Sequence, residues 1–139
     1  MSAATFHTSL RAGIRQKLQT LPGLIDVAWE GKTYQPVKGK PFLSEQVRPI
    51  SSVVRGTGLG GYIAHTVTAN FTLHYPAGKG TVEIDALAGA LLEMFRPGSS
   101  ITYNTASAVI QQAERMALFQ EPDWINCPVV ITLIGHTSN

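Results

Sequence analysis

Four histidines, one cysteine and two glycine-bearing loops are where this chain could do chemistry. A zinc protease needs two histidines one helical turn apart, and structural zinc needs cysteine pairs. His7, His65, His74 and His136 offer neither pattern, and Cys127 stands alone. His65 and His74 are an odd number of residues apart on one alternating run, so they point to opposite faces of a strand. All four histidines read as ordinary polar or core residues. Cys127 lies inside an apolar run, cannot form an internal disulfide, and reads as a small core residue. Gly56-Thr57-Gly58-Leu59-Gly60-Gly61 contains the spacing of a dinucleotide fingerprint. That fingerprint needs a strand before it and a helix after it, so that a helix N-terminus meets the pyrophosphate. Here a strand follows, and the run reads as a flexible hairpin or arm tip. Gly31-Lys32-Thr33 ends like a phosphate-binding loop, but Asp26 stands at the first glycine position and Pro36 prevents a following helix. There is no G-x-S-x-G elbow, and the carboxylates are scattered. No catalytic group, cofactor or metal is expected, and an enzyme is the weaker class.

Composition narrows the classes further. The 139 residues suit one domain, and 44% apolar residues suffice for a packed core. Charged residues make up only 14%, against about 25% in an average soluble domain. A surface this weakly charged suits a protein packed against copies or partners, or a plain soluble domain with a Thr-rich surface. The net charge of +2 is too small to make nucleic acid or an anionic membrane the main partner. The charge is nonetheless uneven. Residues 1–60 hold eight basic and three acidic groups, whereas residues 61–139 hold three basic and six acidic. Opposite-sign surfaces of this kind can draw copies together head to tail. The first seven residues lack the basic flank and apolar stretch of a secretory leader, and no apolar run approaches the length of a membrane span.

The elements follow from periodicity. Phe6, Leu10, Ile14, Leu18 and Leu21 mark one face of a helix over Thr5–Leu21, with Arg11, Arg15 and Gln16 off that face and expected in solvent. Pro22-Gly23 stops it. A short strand is expected over Leu24–Glu30. Residues 36–61 carry Pro36, Pro41, Pro49 and five glycines, and read as a long loop or arm with one extended stretch, Pro41–Val47. Lys38, Lys40, Arg48 and Arg55 place four cations there, either as a strip facing phosphate or an acidic partner, or as a solvated loop. Tyr62–Tyr75 is the clearest strand. His65, Val67, Ala69, Phe71, Leu73 and Tyr75 share one face with Ile63, and a Thr-lined row faces the other way. After the turn Pro76–Gly80, Thr81 can cap a helix whose stripe is Ile84, Leu87, Ala88, Leu91, Leu92 and Phe95. Ile101–Asn104 and Ser107–Met116 follow; the second fits strand or helix, and strand is preferred so that the last strand has a partner. Cys127–Gly135 is apolar on both faces and reads as a central strand. The expected fold is a single α+β domain over 1–139, with a mostly antiparallel mixed sheet, two helices on one face and the long arm.

Several short motifs together resemble a family. They are Val27-Ala28-Trp29-Glu30-Gly31, Tyr34-x-Pro36-x-x-Gly39-x-Pro41-Phe42-Leu43, and Gly60-Gly61-Tyr62. Phe71-x-Leu73-x-Tyr75-Pro76-Ala77-Gly78-x-Gly80, a helix ending in Phe95, and Asp123-Trp124 with Pro128-Val129-Val130-Ile131 complete the set. In this order and spacing, over roughly residues 8–135, the chain resembles the tail terminator-like proteins of tailed phages and prophages. A glycine usual before the late Trp is absent, and Pro122-Asp123 stands there instead. The resemblance implies a structural virion protein with no catalytic residue. Such a protein would form a ring, typically six-fold, on the head-proximal end of the tail tube. The ring would stop elongation and present a surface to head-completion or connector proteins, with DNA passing through it. Assembly would take place in the bacterial cytoplasm, without a membrane. The arm over 36–61 and the strand–turn Tyr75–Gly80 would be subunit and tube contacts, with Lys38, Lys40, Arg48, Arg55, Gly58, Gly60, Tyr75 and Lys79 as contact residues. A different neck or head–tail joining protein, or a small ligand-binding domain with its site at the glycine-rich loop, are the alternatives.

Overall fold

The computed structural model describes residues 3–56 and 61–138. Helix α1 (Ala3–Gln19) buries Phe6, Leu10, Ile14 and Leu18, the stripe its spacing dictates. It ends in a tight turn in which the Leu21 N–H donates to the Leu18 carbonyl. Strand β1 (Asp26–Ala28) pairs in parallel with β2 (Phe42–Arg55). Strand β3 (Tyr62–Pro76) pairs antiparallel with β2 on one side and with β7 (Trp124–Ser138) on the other. Helix α2 (Val82–Met94) buries Ile84, Leu87, Ala88 and Leu91. Thr81 occupies its N-cap position, but the side chain makes no capping bond; Glu83 and Asp85 in the first turn answer the helix dipole instead. Strands β4 (Ser100–Tyr103), β5 (Ala106–Arg115) and the two-residue β6 (Phe119–Gln120) complete the sheet.

The strand order is β1-β2-β3-β7-β5-β4, with β6 also on β7, and every pairing but β1–β2 is antiparallel. Residues 106–115 are therefore strand, and β7 is central, as its two apolar faces require. Both helices lie on one face. Their stripes join Val67, Ala69, Phe71, Leu73, Val129, Ile131 and Leu133 in a single core. Two glycines set how closely α1 can settle. A Cβ at Gly13 would stand 2.8 Å from Ile101 Cγ2, so glycine lets α1 pack against β4. A Cβ at Gly135 would stand 2.4 Å from the Phe6 ring, so the bare backbone of β7 is the seat for that ring.

The expected arm over 36–61 is a correction. Most of it is the 14-residue strand β2, in register with β3 from Phe42↔His74 to Arg55↔Tyr62. The prolines and glycines that suggest a loop are compatible with a strand because β2 is an edge strand beyond Ser44, where β1 ends. Val47 turns its N–H and C=O outward, to Glu30 and Arg11. Pro49 follows two residues on, in the same phase, where a missing N–H breaks no sheet bond. A bulge between Pro49 and Ser51 then shifts the register. Gly39 and Gly56 flank the strand at positive φ instead of interrupting it.

Candidate functional site

The far half of β2 is the most exposed part of the sheet. Residues 48–55 are all exposed, and they include Ile50 at 59%, Val53 at 43% and Val54 at 55%. Tyr62, opposite Arg55 on β3, is also exposed. Arg48 and Arg55 bracket this apolar stretch, and neither enters an ion pair among the described residues.

The root of this hairpin is clamped by charge. Glu45 points inward from β2, and its side chain is fully buried. Arg15 meets it with a two-pronged contact, Nε to Oε2 at 2.9 Å and Nη2 to Oε1 at 3.0 Å. The Glu30 N–H donates to the same carboxylate at 3.1 Å. Glu30 in turn accepts the Val47 N–H at 3.0 Å and pairs with Arg11. The Arg15 guanidinium also lies 5.3 Å from the Trp29 ring. Partial burial works to raise the Glu30 pKa, but the Val47 N–H and the two guanidiniums outweigh it and hold the carboxyl below its usual range. The Glu45 hydrogen bond raises Arg15 against the opposing effect of burial. Arg11 and Arg15 are thus not the solvated pair expected from the helix face. The signal for them was available: Glu45 sits between Leu43 and Val47 on an apolar strand face, and a carboxylate there demands a cation.

Two histidines fasten the two ends of the sheet. On the helix face, His65 bonds Ser52 Oγ at 2.7 Å and Thr137 Oγ1 at 2.8 Å, and stacks on Phe6. Burial, with His7 and His136 nearby, lowers its pKa. On the opposite face, His74 lies between Ser44 Oγ, 2.9 Å from Nε2, and Asn126 Oδ1 at Nδ1; Asn126 then donates to Glu121 at 2.7 Å. Phe42 stacks on this ring and meets Trp124 edge-on, forming a small second cluster away from the helices. Burial lowers the His74 pKa against the pull of Asn126 and Glu121. The Ser44–His74–Asn126 chain has the order of a nucleophile relay, but its ring is pinned beneath Phe42 and satisfies an asparagine with no exposure at all.

The structure divides the eight expected contact residues. Arg48 and Arg55 lie on far β2. Lys38 and Lys40 precede β2 at the opposite end of the sheet, and Lys40 pairs with Asp26 at 2.9 Å. Lys79 is exposed in the turn after β3, near that same end, and Tyr75 is buried beside a groove of about 360 Å³ lined by Pro22, Ile25 and Leu87. Burial and Glu83 raise the Tyr75 pKa. Gly58 and Gly60 lie outside the described residues. The four cations therefore do not form one strip. Among the described residues no group of three His, Cys, Asp or Glu could hold a metal ion, and no helix is long and apolar enough to cross a membrane.

This arrangement is a scaffold with an open edge, and the comparison with known families agrees. The family model described as phage tail terminator protein matches residues 9–132. The chain belongs to the phage tail terminator family. It is a structural component of phage tail assembly. The match runs from within α1 through most of β7, so the hairpin, its charge clamp and the His74 network fall within it, while Phe6 and Thr137, two partners of His65, lie outside it. No curated protein matches the chain. One solved structure aligns over 100% of this chain and 98% of its own length, with a TM-score of 0.74 at 12% identity. That likeness speaks for the fold alone.

Proposed function

We propose that this tail terminator caps the head-proximal end of the tail tube as a ring of copies, six in the simplest case. The ring ends tube elongation and offers a surface to head-completion or connector proteins, with DNA passing through its centre. Assembly takes place in the bacterial cytoplasm. The observation that carries this reading is the family match over residues 9–132. The long exposed edge of β2 supports it, because a monomer has no use for an unpaired strand carrying Ile50, Val53 and Val54. Arg48 and Arg55 are subunit contacts in this reading. Lys38, Lys40 and Lys79, at the other end of the sheet, belong to the surface that meets the tube, with Tyr75 buried behind it.

The test is native mass across a concentration series, with negative-stain images of the concentrated protein, alone and with assembled tail tubes. A closed ring with a central hole, free or at one end of the tube, is expected. A protein that stays monomeric at every concentration and leaves tube ends bare overturns the reading.

A further inference from the structure

The sheet has two open edges, and they are complementary. On the β2 side, β1 covers only Phe42–Ser44, Glu30 and Arg11 cover Val47, and no strand pairs with residues 48–55 from outside among the described residues. On the other side, β4 covers β5 only as far as Val109, with Ser99 and Gly98 bonding Ile110. Beyond that point residues 112–115 and 119–120 pair with β7, and among the described residues no strand pairs with their outer side. The first edge carries Arg48 and Arg55 with Ile50, Val53 and Val54, and the chain holds no acidic residue between Glu45 and Glu83. The second carries Glu114 and leads to Glu121 and Asp123, with exposed Met116 and Phe119. None of these three acids enters an ion pair among the described residues, and the one cation in the stretch, Arg115, is held by Asp85. Each edge thus has apolar side chains and one dominant charge, and the charges are opposite.

The strand directions fit as well. β2 runs antiparallel to β3, β3 to β7, and β7 to β5. β2 and β5 therefore run in opposite directions. A neighbouring copy in the same orientation would set its β5–β6 edge antiparallel to this copy's β2. Contacts between two different patches in one orientation are head to tail, the kind that generates a ring when the rotation closes. The two edges sit toward opposite ends of the sheet, a stagger that tilted strands absorb as they do in a barrel.

We infer that the subunit contact is sheet continuation: the β2 edge at residues 48–55 of one copy adds to the β5–β6 edge at residues 111–120 of a second copy, with Glu114 on that edge and Glu121 and Asp123 just beyond it facing the arginines. This inference rests on the ring reading above and assigns its joint.

Charge exchange tests it. One variant carries Arg48→Glu with Arg55→Glu, so both of its edges are acidic. The other carries Glu114→Lys with Asp123→Lys, so both of its edges are basic. All four positions are exposed, and both variants should melt within a few degrees of the wild type. Under conditions where the wild type forms rings, each variant alone should fail to do so. An equal mixture should recover rings of alternating composition by native mass. Rings from either folded variant alone, or a mixture that does not recover them, overturn the edge pairing while leaving the ring reading in place. A wild type that forms no ring, free or on tubes, overturns both.

Discussion

At the residue scale, the two arginines of α1 look alike in sequence and differ in what depends on them. Arg15 neutralises a carboxylate with no exposed side-chain surface, whereas the Glu30 side chain opposite Arg11 is 31% exposed. Removing one partner of a buried pair strands the other charge, at a cost of about 3–5 kcal/mol, while pairs in contact with water contribute about 0–1 kcal/mol. Arg15→Ala should therefore lower stability toward the upper figure, and Arg11→Ala far less, by urea denaturation. Equal losses would show that Glu45 does not depend on Arg15. His65 predicts a pH dependence. Burial, followed by His7 and His136, holds its folded pKa below the ordinary value of about 6.5. Between those two values the unfolded chain binds more protons, so stability rises with pH. The contribution is complete above about pH 6.5 and is lost as pH falls through the folded value. His74 is shifted in the same direction and adds to the slope. Melting temperature should drop from pH 7 to pH 5, and His65→Gln should remove part of that drop. An unchanged slope in the variant would place the titration elsewhere.

At the element scale, α1 is seated at two places on the sheet. Its first turn lies on β7 through Phe6 and Gly135, and its middle lies on β4 through Gly13. Gly135→Ala puts a methyl group where the Phe6 ring sits and 3.0 Å from the Ser107 carbonyl, which the ring cannot leave without exposing itself. Overpacking of this kind costs about 1–3 kcal/mol. The variant should lose that much by chemical denaturation and gain fast amide exchange in the first turn of α1. Wild-type stability would mean that Phe6 is not seated on β7. The hairpin of β2 and β3 shows the opposite design. Glu45, Val47 and His65 anchor its root and inner face, while residues 48–55 stay uncovered. An edge so anchored is ready to pair without first having to fold.

At the scale of the whole molecule, the uneven charge of the chain becomes two separated edges of opposite sign. Contacts between solvent-exposed charges weaken with salt, as the Debye length shrinks from about 10 Å at 0.1 M to about 3 Å at 1 M. Ring formation should require higher protein concentration as salt rises, by the native mass series; a joint that strengthens with salt would be apolar alone. The sequence by itself determined the two helices, the β3 alternation, the central place of β7 and the α+β class, because each depends on local periodicity and burial on one face. Its short motifs also sufficed for the family. It did not determine β2: Pro49 and the flanking glycines are loop signals unless a neighbouring strand supplies the pairing, and only the register with β3 decides that. Nor did it determine the fate of Arg11 and Arg15, the meeting of Ser52, His65 and Thr137, or the separation of Lys40 from Arg48 and Arg55. Those depend on which distant residues the sheet sets side by side, and pairing across a sheet is a property of the folded chain, absent from any window of its sequence.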